Sequence, residues 1–126
     1  MSVSKLLQDQ FSFTMAISYM IQFSASIGIR LTLGEGYIGD SIDKPHEDTP
    51  HLRHGFHFKR LAQDFNAFRV TMDEMGVPSE ATLLKATEDY EALGEYWEQL
   101  GGTWGGRFSR PDGGHFSWGE GKRHGK

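Results

Sequence analysis

The chain has 126 residues, enough for one domain with a real core and too few for two of ordinary size. Hydrophobic residues make up 37% and charged ones 24%, the balance of an ordinary soluble globular protein. Thirteen basic against 17 acidic residues leave a net charge of −4, which argues against a dedicated nucleic-acid binder; the absence of cysteine excludes disulfides, thiolate zinc sites and cysteine nucleophiles.

Ser4 is a candidate helix cap, and the spacing predicts a helix running to about Ser26 and ended by Gly28. Leu6, Leu7, Phe11, Ile17, Met20, Ile21 and Phe23 read as one broad apolar face of that helix. Polar residues such as Asp9, Ser12, Thr14, Ser18 and Gln22 interrupt the stretch too often for a membrane span or a clear signal peptide. Ile29, Leu31 and Leu33 alternate with Arg30, Thr32 and Gly34, a half-buried strand. From Ile38 to Gly55 the chain is polar and rich in Pro, Asp and His; a loop that long is usually functional or disordered.

Leu61, Gln63 and Phe65 then alternate with Ala62, Asp64 and Asn66, a strand with one buried face. The following "RVTMDE" reads equally as a continuation or a hairpin return, and Gly76, Pro78 and Ser79 mark residues 73 to 82 as a connection. Tyr90, Leu93, Tyr96, Trp97 and Leu100 recur at helical spacing from about Glu88 and are stopped by Gly101 and Gly102. A glycine-rich link and a last short strand, "HFSW", close the fold. Two helices and at least three strands in mixed order give an α+β domain over residues 1–126, with a short basic tail at 121–126.

Four of the six histidines lie between His46 and His57. Without cysteine, any metal is held by His and Asp/Glu, which favours a catalytic over a structural zinc site. His57 enters the strand that carries Asp64 seven residues on, so the chain can fold back and aim both at one ion; equally, Asp64 can sit on a wet face with Asn66. His115 is a candidate third ligand, leaving the open fourth position that hydrolytic zinc sites use. Such a zinc lowers the pKa of a bound water toward about 7 and needs a neighbouring acid or base to move protons. Asp112, three residues before His115 and across two glycines, suits that task; the bland alternative is a Pro-Asp-Gly turn.

The segment "HFKRLAQDFNAF" resembles the His-x-x-[Gly/Arg]-x-Ala-x-Asp motif of the D-alanyl-D-alanine carboxypeptidase and L-alanyl-D-glutamate endopeptidase superfamily. "LGEYWEQLGGTWGGRF" followed by "DGGHFSWGE" resembles the phage endolysin branch of these zinc peptidases, and the likeness spans roughly residues 25 to 120. The resemblance implies zinc held by His57, Asp64 and His115, with Asp112 as general base assisting attack of zinc-bound water. It implies an α+β fold whose small antiparallel sheet carries the ligands, flanked by an N-terminal helix and a second helix near residues 88–100. The implied substrate is the peptidoglycan stem peptide, cut at the L-alanyl-D-glutamate bond, with D-alanyl-D-alanine carboxypeptidase as the near alternative. Tyr37, Trp104, Phe116 and Trp118 are candidates to line a substrate cleft, with at least half of them expected in the core instead; Tyr37 and Trp118 are the candidate substrate contacts.

The net charge argues against a nucleic-acid partner and the interrupted N-terminal stretch against stable membrane insertion; without a clear signal, the chain is expected to be made in the host cytoplasm, as a monomer, and to reach the periplasm and cell wall through a holin-type pore. Two positions depart from the family pattern: Gly55 stands where many members carry a Ser two residues before the first ligand, and Ile38 where members carry an Arg that serves substrate or intermediate. Losing a cation aimed at a developing oxyanion costs about 10²–10³ in rate. Either Arg30, Arg53 or Arg60 substitutes for it, or the chain is an impaired zinc- or wall-binding module.

Overall fold

The computed structural model describes residues 2–34 and 61–119. Helix α1 (Lys5–Ser26) starts where expected: the Ser4 hydroxyl accepts from the Leu7 amide at 3.1 Å. Lys5 and Asp9, one turn apart, form an ion pair of 2.8 Å. Among the described residues, no helix is long and apolar enough to cross a membrane.

Strand β1 (Ile29–Leu33) follows and pairs antiparallel with β2 (Ala62–Met72), from Ile29↔Arg69 to Leu33↔Phe65. The opposite edge of β2 is shared by two strands laid end to end. Its second half pairs with β3 (Pro78–Leu84), and its first three residues pair with β5 (His115–Ser117). The two-residue β4 (Thr103–Trp104) borders β5, completing a five-stranded antiparallel sheet. Between β3 and β4 lie a 3₁₀ turn (Thr87–Tyr90) and helix α2 (Glu91–Leu100). Gly101 ends α2 with φ 111°, a left-handed conformation that a side chain resists. This is the expected α+β domain with its two helices.

Two local expectations differ from the structure. Residues 73–82 are not a plain connection: "RVTMDE" continues β2 to Met72, and Pro78 opens a strand. The turn between them is held by the Asp73 carboxylate, which accepts from the Met75 and Val77 amides at 2.8 and 2.9 Å. Strand β3 is exposed along nearly its whole length, so it has no buried face to imprint an alternating pattern. Proline is tolerated at the first residue of such an edge strand.

The buried face of α1 is the expected one only in part: Met20 is buried and Ile17 and Phe23 pack against the core. Asp9, Phe13, Ala16, Met20 and Ser24 point inward, while Leu6, Leu7, Phe11 and Ile21 are exposed. The helix is apolar around much of its circumference, so periodicity left the choice to tertiary packing. The small Ala16 and Ser24 sit on the inward face, where they allow close approach to a neighbour.

The core gathers Phe13, Met20, Ile29, Leu61, Phe65, Leu93, Trp97 and Phe116 between α1, α2 and the sheet. Trp97 is its hub. Its ring meets Phe13 and Phe116 edge-on at 5.9 and 5.7 Å, and its indole N–H donates to the Ser117 carbonyl at 2.9 Å. The Tyr90 hydroxyl donates to the Leu84 carbonyl and accepts from the Ala67 amide, tying the 3₁₀ turn to β2 and β3. The Trp97 contacts hold Phe116 and Ser117 of β5 in the core, and β5 pairs with the first residues of β2, where the candidate site lies.

Candidate metal centre

In the antiparallel register, Asp64 on β2 stands directly opposite His115 on β5. Residues so paired project from the same face of the sheet with Cβ atoms about 4.5–5.5 Å apart. His115 Nδ1 lies 3.3 Å from Asp64 Oδ1. The His115 side chain is 7% exposed, whereas that of Asp64 retains 30% accessibility, so the pair opens toward solvent on the carboxylate side.

The third member arrives on the loop between β4 and β5. Its backbone is pinned at several points: the Asp112 amide donates to the Gly105 carbonyl at 2.9 Å, and the His115 amide to the Asp112 carbonyl at 3.1 Å. The Trp104 indole N–H donates to the Gly113 carbonyl at 2.8 Å, and the Phe65 amide to the Gly114 carbonyl at 2.8 Å. Gly105 is required here: a Cβ on it would overlap the Asp112 carbonyl and press on His115 Cβ. The Pro-Asp-Gly-Gly turn is therefore fastened to both neighbouring strands, and it holds the exposed Asp112 beside the pair.

Ligand-type atoms of Asp64, Asp112 and His115 all lie within 4.8 Å of one another. This donor set fits a zinc ion. Two ligands each about 2.0–2.1 Å from a tetrahedral ion are about 3.3–3.4 Å apart, and the Asp64–His115 separation is 3.3 Å. That distance is long for a charge-assisted hydrogen bond, which prefers about 2.7–2.9 Å. At its separation, Asp112 is within reach of either task, a further ligand or a proton carrier for a water held there.

Phe108 borders the cluster, and its neighbour Arg107 braces the preceding turn. The Phe108 ring centre is 5.3 Å from that of His115, forming an apolar wall against the imidazole. Arg107 forms a two-pronged pair with Glu98 of α2, both bonds 3.0 Å, and its guanidinium lies 5.0 Å from the centre of the Trp104 ring. The hydrogen bond to Glu98, then its charge, pushes the Arg107 pKa above its already high ordinary value. Arg107 thus fastens the 3₁₀ turn Gly105–Arg107 to α2.

Of the residues expected from sequence, three come together: Asp64, Asp112 and His115. His57, Tyr37 and Ile38 lie outside the described residues. Trp104 and Phe116 are core residues, 2% and 0% exposed. Trp118 packs edge-on against Trp97 at 5.4 Å. Sequence reasoning missed Gly105 and Trp104 as the parts that shape the Asp112 turn. The one available signal was their place in "TWGGRF", a glycine pair beside an aromatic.

A carboxylate–imidazole cluster on the strands of a small antiparallel sheet defines a candidate metallohydrolase site. Comparison with known families agrees: residues 49–118, more than half of the chain, match the family described as D-alanyl-D-alanine carboxypeptidase. The chain belongs to that family of zinc metallopeptidases, and the matched stretch runs through His57, Asp64, Asp112 and His115. No curated protein matches it.

Proposed function

We propose that this chain is a zinc-dependent peptidoglycan endopeptidase of the phage endolysin type, cutting the L-alanyl-D-glutamate bond of murein stem peptides. The observation that carries this reading is the Asp64–Asp112–His115 cluster inside the family-matched segment. The choice of bond rests on the "LGEYWEQLGGTWGGRF" and "DGGHFSWGE" blocks.

In this reading His57, Asp64 and His115 hold the metal. Zinc supplies Lewis acidity there, acidifying a water and polarising the scissile carbonyl. Asp112 is the residue on a loop rather than a strand, and it is exposed where the other two are partly or fully covered. That position suits a proton carrier. Its carboxylate takes a proton from the attacking water and returns it to the amine as the peptide C–N bond breaks. Buried His115, walled by Phe108, keeps one side of the cluster dry. Tyr37 and Trp118 are the proposed substrate contacts. The enzyme would be made in the host cytoplasm and reach the wall through a holin-type pore.

Digestion of purified murein, with mass spectrometry of the new termini, tests the proposal. The expected products are C-terminal L-alanine and N-terminal D-glutamate, abolished by a chelator and restored by zinc. Release of free D-alanine would instead establish a carboxypeptidase, the second reading, which the description of the matched family favours. Intact murein despite stoichiometric zinc would leave a binding module.

A further inference from the structure

The register that pairs Asp64 with His115 also fixes what else stands on their face of the sheet. Residues directly opposite one another in an antiparallel sheet share a face, and every second residue along a strand returns to it. From Asp64 the face runs to Asn66 and Phe68 on β2, to Thr32 and Arg30 opposite them on β1, and to Leu83 opposite Phe68 on β3. The reverse face carries Ile29, Phe65 and Ala67, all buried in the core.

The metal face is open. Asn66, Thr32 and Leu83 are exposed, and Arg30 and Phe68 are half-buried. Gly34 keeps the near end clear: its amide donates to the Asp64 carbonyl at 2.7 Å, and a Cβ on it would come within 3.3 Å of Asp64 Cβ. A cation stands at the far end. Among the described residues Arg30 has no ion pair or side-chain hydrogen bond, whereas Arg107 is held twice by Glu98. The side chains between Asp64 and Arg30 on this face, Asn66 and Thr32, are uncharged.

The rung of Arg30 and Phe68 lies four residues along β2 from Asp64, about 14 Å of strand. That span sets Arg30 apart from the oxyanion, which would form on the carbonyl held at the metal. An extended peptide covers the same distance in about four residues, and the long arginine stem shortens it. We infer that Arg30 binds the free terminal carboxylate of a peptide substrate, about three to four residues from the scissile bond, the peptide lying over Asn66 and Thr32. The inference rests on the peptidase reading and adds the end of the substrate that the enzyme selects. In a tetrapeptide stem cut after L-alanine, three residues and a terminal carboxylate remain on the amine side, the length this face spans.

The test compares the tetrapeptide L-Ala-γ-D-Glu-meso-diaminopimelyl-D-Ala with its C-terminal amide. The zinc-loaded wild type is expected to favour the free acid by about 10–100-fold in kcat/KM, the scale of a hydrogen bond to a charged group. Arg30→Gln is expected to erase that preference by raising KM for the acid rather than by lowering kcat, and Arg30→Lys to keep part of it. Arg69→Gln, on the reverse face of the same strand pair, is expected to keep it whole. Thr32→Glu, at an exposed position beside Arg30, is expected to cancel the preference, so the inference stays testable even if Arg30→Gln fails to fold. A wild type that cuts acid and amide equally, or an Arg30→Gln chain that keeps the preference, overturns the inference and leaves the peptidase reading standing. If neither peptide is cut, calorimetry of the zinc-loaded protein separates the two. Tighter binding of the acid, lost in Arg30→Gln, would then sink only the peptidase reading, and equal or absent binding would sink the inference as well.

Discussion

Asp64 and His115, 51 positions apart in the chain, are direct register partners across β2 and β5, with Oδ1 and Nδ1 3.3 Å apart. A one-residue slip of either strand would turn one side chain to the other face and dismantle the pair. The register is held by apolar neighbours in the same two strands. Phe65 and Phe116 meet edge-on at 5.8 Å in the core, and Trp97 clamps the far end of β5 through the Ser117 carbonyl. Core packing therefore sets the site geometry.

Replacing Asp64 by Asn keeps shape and removes the charge a cation needs. Zinc affinity is expected to fall by more than about 100-fold, beyond the 10–100-fold typical of changes in groups that only orient a ligand. Competition against a fluorescent chelator measures it. Unchanged affinity would exclude Asp64 from the metal site.

Asp112→Asn separates the two tasks within that residue's reach. As proton carrier, its loss is expected to lower murein hydrolysis by about 10²–10⁴ while one zinc per chain is retained. Loss of zinc together with activity would reassign Asp112 as a ligand. Turbidity of permeabilised Gram-negative cells and metal analysis of the same preparation give both readouts.

Gly105→Ala places a methyl group against the Asp112 carbonyl and His115 Cβ. Overpacking of this kind costs about 1–3 kcal/mol. For a domain of about 100 residues each kcal/mol lowers Tm by roughly 4–8 °C, so a fall of several degrees is expected by calorimetry. Activity should drop further than stability, because the displaced backbone is the one that aims Asp112.

Trp104→Phe deletes the buried donor to the Gly113 carbonyl. A buried carbonyl left without its donor costs about 1–3 kcal/mol. The expected signature is a lower Tm plus faster amide exchange at residues 112–115, with α1 unaffected. Unchanged exchange there would show that the indole does not hold the turn.

Much of this was legible in the chain itself. The Ser4 cap, the glycines ending both helices and the 3.6-residue spacing of Leu93, Tyr96, Trp97 and Leu100 are local signals, and the elements they mark are present. Asp64, Asp112 and His115 could be singled out as one candidate cluster because a cysteine-free chain has few residue types able to bind a metal and because their motifs are short and ordered; the structure brings the three within 4.8 Å of one another. Strand β3 was not legible, since an exposed edge strand buries no face and leaves no alternation.

What only the tertiary structure decided is which face of α1 turns inward, and that His115 meets Asp64, which stands in a separate motif 51 residues earlier. An apolar residue's sequence position says that it prefers burial, and a ligand's says what it can bind. Neither says against what. Those choices depend on contacts between segments dozens of residues apart, Phe13 on Trp97 and β5 on β2, whose complementary shapes exist only once the chain has folded.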